Sequence, residues 1–432
     1  MLSDAEIARI LRFVPALARH HALVASLAMQ NGATEGLVEQ EVSSAMSLFA
    51  KVAWSTITEP GDRFAGALRQ HFGSAQALAL LVRGDDLREW LGLFGALGIS
   101  ESLAQDFGDL AVATGESMAR WRPRLSQRRV LNLLDVAVNF GIHLVSDDSP
   151  FWPSSLNDLD LAAPALLWVR GEPLGLSKLG RSWALVGSRV ATNYGLEATS
   201  SLVQGLGDAG FSIVSGGAFG IDAAAHRSAL ALGAPTVAVM AGGVDNVYPR
   251  SNEQLFNQIL ENDVILSEVA PGTSPTKWRF LQRNRIIAAL SQGTCVVEAG
   301  YRSGAINTAN HASGLERPVA AVPGSIFTSG SAGTHRLIAE GKAQLVTSAN
   351  DLIEMVDVFE SAKYLPFAVE PSDKNELLPL DTRVYDAIGL GVASAGQICE
   401  RGGLTSQEAR IGLTSLVKLG LVSPRGSLWA RA

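Results

Sequence analysis

Cysteine is nearly missing from this chain. Cys295 and Cys399 are the two in 432 residues, about a hundred positions apart, so neither a disulfide framework nor a metal site is indicated. No apolar run reaches the roughly 18 residues that a bilayer-crossing helix needs. Asp4, Glu6 and Arg9 stand where a secretory leader would carry a cationic start and an uncharged stretch. These absences predict a cytoplasmic protein without a membrane partner. An excess of positive charge is missing too: 35 Lys and Arg against 42 Asp and Glu give a formal charge of -7. That excludes a wholesale cationic coat and leaves any nucleic-acid contact to local patches. There is no Walker lysine motif, which disfavours nucleotide hydrolysis of that kind. What is present is globular, with 47% hydrophobic and 18% charged residues, and the length predicts about three domains.

Acid is also locally absent. No Asp or Glu lies between Glu268 and Glu298, while Lys277, Arg279, Arg283 and Arg285 crowd together beside Asn284. After this island comes a buried-strand pattern, Thr294 to Val297, then the turn Tyr301-Arg302-Ser303-Gly304 and a helix from about Ala305. Strand, polar glycine turn and helix form the geometry that aims free backbone N–H groups at an anion. Cationic side chains beside such a turn point to a phosphate. A surface helix with solvated arginines is the plainer alternative.

Residues 1–127 carry apolar side chains at helical spacing, broken at Glu59-Pro60-Gly61-Asp62, Phe72-Gly73-Ser74 and Asp85-Asp86-Leu87. This predicts short helices with tight turns, Asp62 capping the one that starts at Arg63; residues 1–42 read as an extension without assigned function. Residues 128–172 lead into an alternation of strands and helices that runs to 357, with strands centred near 185, 213, 238, 266, 296, 320 and 345. Near-continuous apolar strands with intervening helices imply an α/β fold: a Rossmann-like, mostly parallel sheet covered on both faces. Ligands in such sheets bind at the carboxyl ends of the strands. Gly187-Ser188-Arg189 follows the first strand there and Ser215-Gly216-Gly217-Ala218-Phe219-Gly220 the second. Ser215 breaks a dinucleotide fingerprint. Gly216 and Gly217 still let a backbone approach a phosphate, and Phe219 is either a stacking face or a core residue. His226 and His311 read as structural.

The ordered segments GSRVATNYG, SGGAFGIDAAAH, GGVDNVYPRSN, SEVAPGTSP, FLQRNRIIAALS and VVEAGYRSGAINTANHA span positions 187–312. Together they resemble the successive motifs of the DNA-processing protein A (DprA/Smf) family. The resemblance implies an extended Rossmann-like domain that binds single-stranded DNA, acts as a homodimer and passes the strand to the RecA recombinase in natural transformation, with no catalytic step or cofactor. Leu281-Gln282 stands where that family usually has proline; the charges are kept. A groove for single strands needs phosphate-tracking cations and aromatic faces. The expected DNA-binding set is Arg189, Gly216, Gly217, Phe219, Lys277, Arg279, Arg283, Asn284, Arg285, Arg302, Ser303 and Gly304, with Trp278 as a further stacking candidate. The competing class is a phosphoribohydrolase-like or other nucleotide-binding protein using Glu298.

Residues 358–380, irregular with two prolines, read as a linker. Residues 381–432 fit a winged-helix domain: helices over Thr382–Leu390, Ala395–Arg401 and Thr405–Leu419, then wing strands around Pro424-Arg425-Gly426. Its second helix offers Arg410 and Lys418 against Glu408, a footprint that leaves DNA and protein partners both open.

Overall fold

The computed structural model describes residues 35–83, 86–364, 379–389, 391–425 and 428–431. Most of the expected 1–42 extension, the central part of the linker and the Gly426 turn lie outside these residues. The chain divides into two compact units, Met1–Phe359 and Glu360–Ala432.

Polar caps cut the start of the first unit into helices: Glu35–Ile57, Arg63–Phe72, Ser74–Arg83, Leu87–Ala96, Ser100–Phe107, Leu110–Trp121 and Gln127–Asn139. Asp62 accepts from the Ala65 N–H as expected, and Asp86 forms a reciprocal capping box with Glu89. Each such cap satisfies helix N–H groups that have no partner within their own helix. Asp62 also accepts from the Trp121 indole at 3.0 Å. Trp121 in turn meets Trp54 edge-on, with ring centroids 5.3 Å apart. At Gly66 a β-carbon would lie 1.9 Å from the Leu161 carbonyl oxygen, so the second helix can seat against the Ser154–Ala162 turns only because it has none there.

The sheet that follows has nine strands: β1 Ile142–Val145, β2 Leu167–Gly171, β3 Ser182–Val186, β4 Ser212–Ser215, β5 Thr236–Val239, β6 Val264–Ser267, β7 Gly293–Val296, β8 Val319–Ala321 and β9 Gln344–Leu345. Their spatial order is β1-β2-β6-β5-β4-β3-β7-β8-β9. From β6 to β9 all neighbours are parallel, while β2 pairs antiparallel with both β1 and β6. Successive side chains point to opposite faces. Ala184, Val186, Val237, Val239, Val264 and Leu266 therefore fill one apolar cluster, together with Ile286 to Leu290. Leu185, Ile213 and Cys295 fill a second, on the other face. Trp168, Ala238 and Ile265 also point that way but join a third cluster with Trp54, Trp90 and Trp121 of the N-terminal helices. The order reverses between β3 and β7: the chain leaves β3 towards β4 on one side and returns to β7 on the other. That switch point opens a crevice at the carboxyl ends of the two strands.

The second unit holds helices Pro379–Ile388, Ala395–Gly402 and Ser406–Lys418, with strands β10 Val392–Ser394, β11 Val422–Arg425 and β12 Leu428–Arg431. The strands pair antiparallel in the order β10-β12-β11. Val384, Ile388, Ile398, Leu413 and Leu416 form its core. Two details depart from the sequence reading. Helix Ala349–Tyr364 runs through the first residues expected to be linker, and β10 was not foreseen. Pro424 sits at the sheet edge within β11, where a residue lacking an N–H is tolerated.

Candidate nucleic-acid interface

A cleft of about 910 Å³ opens at the switch point. Gly187 to Val190, after β3, form its floor. One wall is the first turns of helix Lys277–Ala289, the other the Gly300–Gly304 turn that leads into helix Ala305–Gly314. The floor is stitched together through the backbone. The Ser188 N–H donates to the Glu298 carbonyl at 2.7 Å, and the Ile221 N–H to the Ser188 carbonyl at 3.1 Å. Gly220 has φ +74°, and a β-carbon on it would fall 2.1 Å from the Ser188 oxygen. The second loop can close on the first only with glycine there.

Of the expected residues, Arg189, Lys277, Arg283, Asn284, Arg302, Ser303 and Gly304 line the cleft. Arg189 is exposed, its guanidinium carbon 5.0 Å from the Phe280 ring centroid. It has no acidic partner among the described residues. Lys277 and Arg302 are exposed on the two walls. Among the lining residues Asp222 is the sole acid, and it is buried and engaged. Its Oδ2 accepts from the Gly216 N–H at 3.2 Å. Burial pushes its carboxyl up from the ordinary range, against the pull of Arg283. Asn284 holds the two walls together, donating to the Gly304 carbonyl at 3.3 Å and to Asn307 Oδ1 at 3.1 Å. Ser303 Oγ accepts from the Ala305 N–H at 3.3 Å. Phe219 stands on the neighbouring loop, 46% exposed, and Trp278 is 55% exposed.

Four expectations need correction. Arg285 is not a free cation: its side chain is 3% exposed and grips Glu268 with two bonds of 2.7 Å, while donating to the Ala162 carbonyl at 2.9 Å. Arg279 is tied to Glu59, across the boundary with the N-terminal helices, at 3.1 and 3.2 Å. The Gly216 N–H, expected to await a phosphate, is spent on Asp222. Gly217 is buried with φ +65°, and a β-carbon there would strike the Phe256 ring at 2.5 Å; its role is to make the loop fit. Arg283 is intermediate between the two roles. It donates to the carbonyls of Gly216 and Val239. Burial pushes its guanidinium down to about 10, with Arg189 adding to the effect against Asp222. The cleft thus carries Arg189 and Arg283 close enough to repel each other, with Asp222 as the one lining carboxylate, a field that favours an incoming anion. The sequence reading missed Phe280, Tyr248 and Tyr301. Tyr248 lies 5.7 Å from Phe280, and Tyr301 beneath Arg336 at 4.5 Å. Phe280, two residues from Trp278 within the cationic island, carried the available signal.

Glu298 bears on the hydrolase alternative. Its side chain accepts from the Thr192 N–H at 2.9 Å and the Thr192 hydroxyl at 2.6 Å. It is 2% exposed, and Gly195 leaves it no more room than it fills. A carboxylate so engaged anchors the helix after β3 and is poorly placed to attack a glycosidic bond.

A family model described as DNA recombination-mediator protein A matches residues 143–357. A putative DNA processing protein DprA from Mycobacterium tuberculosis is 38% identical over 315 residues, 70% of this chain and 80% of that protein. The chain belongs to the DNA recombination-mediator protein A family. The DNA processing protein DprA of Bacillus subtilis is 40% identical over 213 residues, covering 49% of this chain and 70% of that one. The solved structure of DNA processing protein A from Streptococcus pneumoniae superposes with a TM-score of 0.55 at 32% identity, over 72% of this chain and 97% of that one. The family match holds every residue lining the cleft, whereas the helices from Glu35 to Asn139 precede it. Among the described residues no helix is long and apolar enough to cross a membrane.

Proposed function

We propose that the chain binds single-stranded DNA in the switch-point cleft, as a recombination mediator that protects the strand and loads RecA onto it during transformation. One observation carries the reading. Arg189, Lys277 and Arg302 present free charge around one opening that has exposed rings beside it and no free acid. Phosphates meet the cations, and unpaired bases stack on Phe219, Trp278 or Tyr301. No residue in the cleft is called on to make or break a bond, so the role is binding and handover. A homodimer would lengthen the groove. The second unit, three helices with a three-stranded sheet, supports the winged-helix reading. In its last helix Glu408 is committed to the Thr405 capping box while Arg410 and Lys418 are exposed, which supports a DNA contact there.

The test is an anisotropy titration with an unstructured oligonucleotide against a duplex of the same length. Tighter binding of the single strand, without marked sequence preference, is expected. Equal affinity for the two forms would remove the stacking groove. Release of free base from nucleoside monophosphates would favour the hydrolase instead.

A further inference from the structure

Five arginines, Arg120, Arg122, Arg124, Arg128 and Arg129, fall within ten positions, and no acid lies between Glu116 and Asp135. This second cationic island precedes the family match and plays no part in the cleft described above. Its arginines differ in what they do. Arg120 bonds Ser117 at 3.0 Å and lies 3.7 Å from Asp62. Arg124 meets Glu59 at 3.0 Å. Arg128 and Arg129, at the start of helix Gln127–Asn139, are exposed with no acidic partner among the described residues.

Arg124 and Arg129 open onto a separate polar cleft of about 350 Å³, whose far side carries Arg279, Thr273 and Ser274. Glu59 is the sole acid lining it, and it is shared: Arg124 and Arg279 hold the same Oε1 at 3.0 and 3.1 Å. Two guanidiniums therefore share one carboxylate, and a third, that of Arg129, lines the same cleft without an acidic partner among the described residues. Ser55 and Thr58 also line it, but their hydroxyls donate to the Val52 and Trp54 carbonyls at 2.8 and 2.7 Å, so phosphate contact falls to the guanidiniums. The two clefts share a rim. Ser274 lines this one, while Pro275 and Lys277 line the larger. Only Pro275 and Thr276 separate Ser274 from Lys277, at most about 11 Å along the chain.

We infer that this smaller cleft is a second phosphodiester site, holding the same DNA strand after it crosses the start of helix Lys277–Ala289. The inference rests on the single-strand reading of the larger cleft. It gives the N-terminal helices a direct part in the strand's path. Single-strand sites in OB folds take about 4–16 nucleotides; on that scale an oligonucleotide at the short end fills one cleft and a longer one reaches both.

The experiment uses the full chain with fluorescent oligothymidylates of about 5 and about 25 nucleotides. Arg129→Glu should weaken the longer ligand by about threefold to tenfold and leave the shorter unchanged. Arg129→Ala should lower the log–log salt slope for the longer ligand by about 0.7. Arg189→Ala serves as the control and should weaken both lengths. An unchanged affinity and slope in the Arg129 variants, with Arg189→Ala still weakening both, overturns this inference alone; the cleft then fits an acidic protein partner. Equal losses at both lengths in Arg129→Glu also overturn it, since the effect would then act through the first cleft. Arg189→Ala without effect at either length refutes the larger cleft.

Discussion

Replacing Arg285 by alanine separates the two readings of the cationic island. The side chain is buried against Glu268 in a two-bond pair, and it also donates to the Ala162 carbonyl. Glu268 is itself only 15% exposed. Alanine therefore leaves a largely desolvated carboxylate and a carbonyl without their donor. Removing one partner of a buried pair costs about 3–5 kcal/mol. For a unit of this size each kcal/mol is worth about 2 °C, so calorimetry should record a fall of roughly 6–10 °C. Glu268→Leu combined with Arg285→Met should recover most of it, because an apolar pair of similar volume carries no stranded charge. Below the melting range, affinity for single-stranded DNA should stay within about twofold of the parent, less than 0.5 kcal/mol. A variant that melts with the parent yet loses DNA binding would refute the structural assignment and return Arg285 to the interface.

Arg189→Ala should do the opposite: keep the melting temperature and lose about 1.5–3 kcal/mol of single-strand affinity, with lysine restoring part; early melting with normal binding would show a structural role instead. The larger cleft's phosphate contacts should give a log–log salt slope of about -0.7 per contact, and a flat response would mean that the exposed cations miss the backbone. Burial pushes the His226 imidazole down to about 3, aided by the charges of Arg283 and Arg227. The folded chain thus holds it neutral, while the unfolded chain protonates it near 6.5. Its contribution is complete above pH 6.5 and drains away as pH falls from there towards 3. Melting temperature should drop across that window, less steeply in His226→Gln; parallel slopes would exclude the imidazole as the cause.

The strands and the loops at their carboxyl ends were legible because parallel strands are apolar throughout and the turns between them are marked by glycine. The exposure of Arg189, Lys277 and Arg302 at the cleft was also legible, since no acid among the described residues engages them. What charge clustering could not reveal is where each arginine finds a partner. Glu268 lies 17 residues before Arg285 and Glu59 lies 220 before Arg279, and only the folded chain brings them together. Helix Lys277–Ala289 also buries Arg283 to Ala289 without interruption, so it has no solvated face on its later turns and its later arginines point inward. Gly216 shows the same limit at the backbone: a glycine pair says that something approaches closely, not whether it is a ligand or Asp222. The linker was misjudged at its start because its prolines follow Tyr364, and the helix runs on until then.

Trp168 of β2, Ala238 of β5 and Ile265 of β6 share one interior with Trp54, Trp90 and Trp121 of the helices. Leu255, Phe256 and Ile259 of helix Glu253–Asn262 fill the same interior, so the N-terminal helices cover only part of that sheet face. A thermal fluctuation that lifts the N-terminal helices would uncover part of that sheet face as well, so local opening of one disturbs the other. The amides of helix Glu35–Ile57 and of strands β2, β5 and β6 should accordingly exchange with solvent at a common rate and share one denaturant dependence. A protease that cuts after the helices would release an aggregating sheet rather than a smaller stable mediator. The helical region is thereby part of the sheet's folding unit.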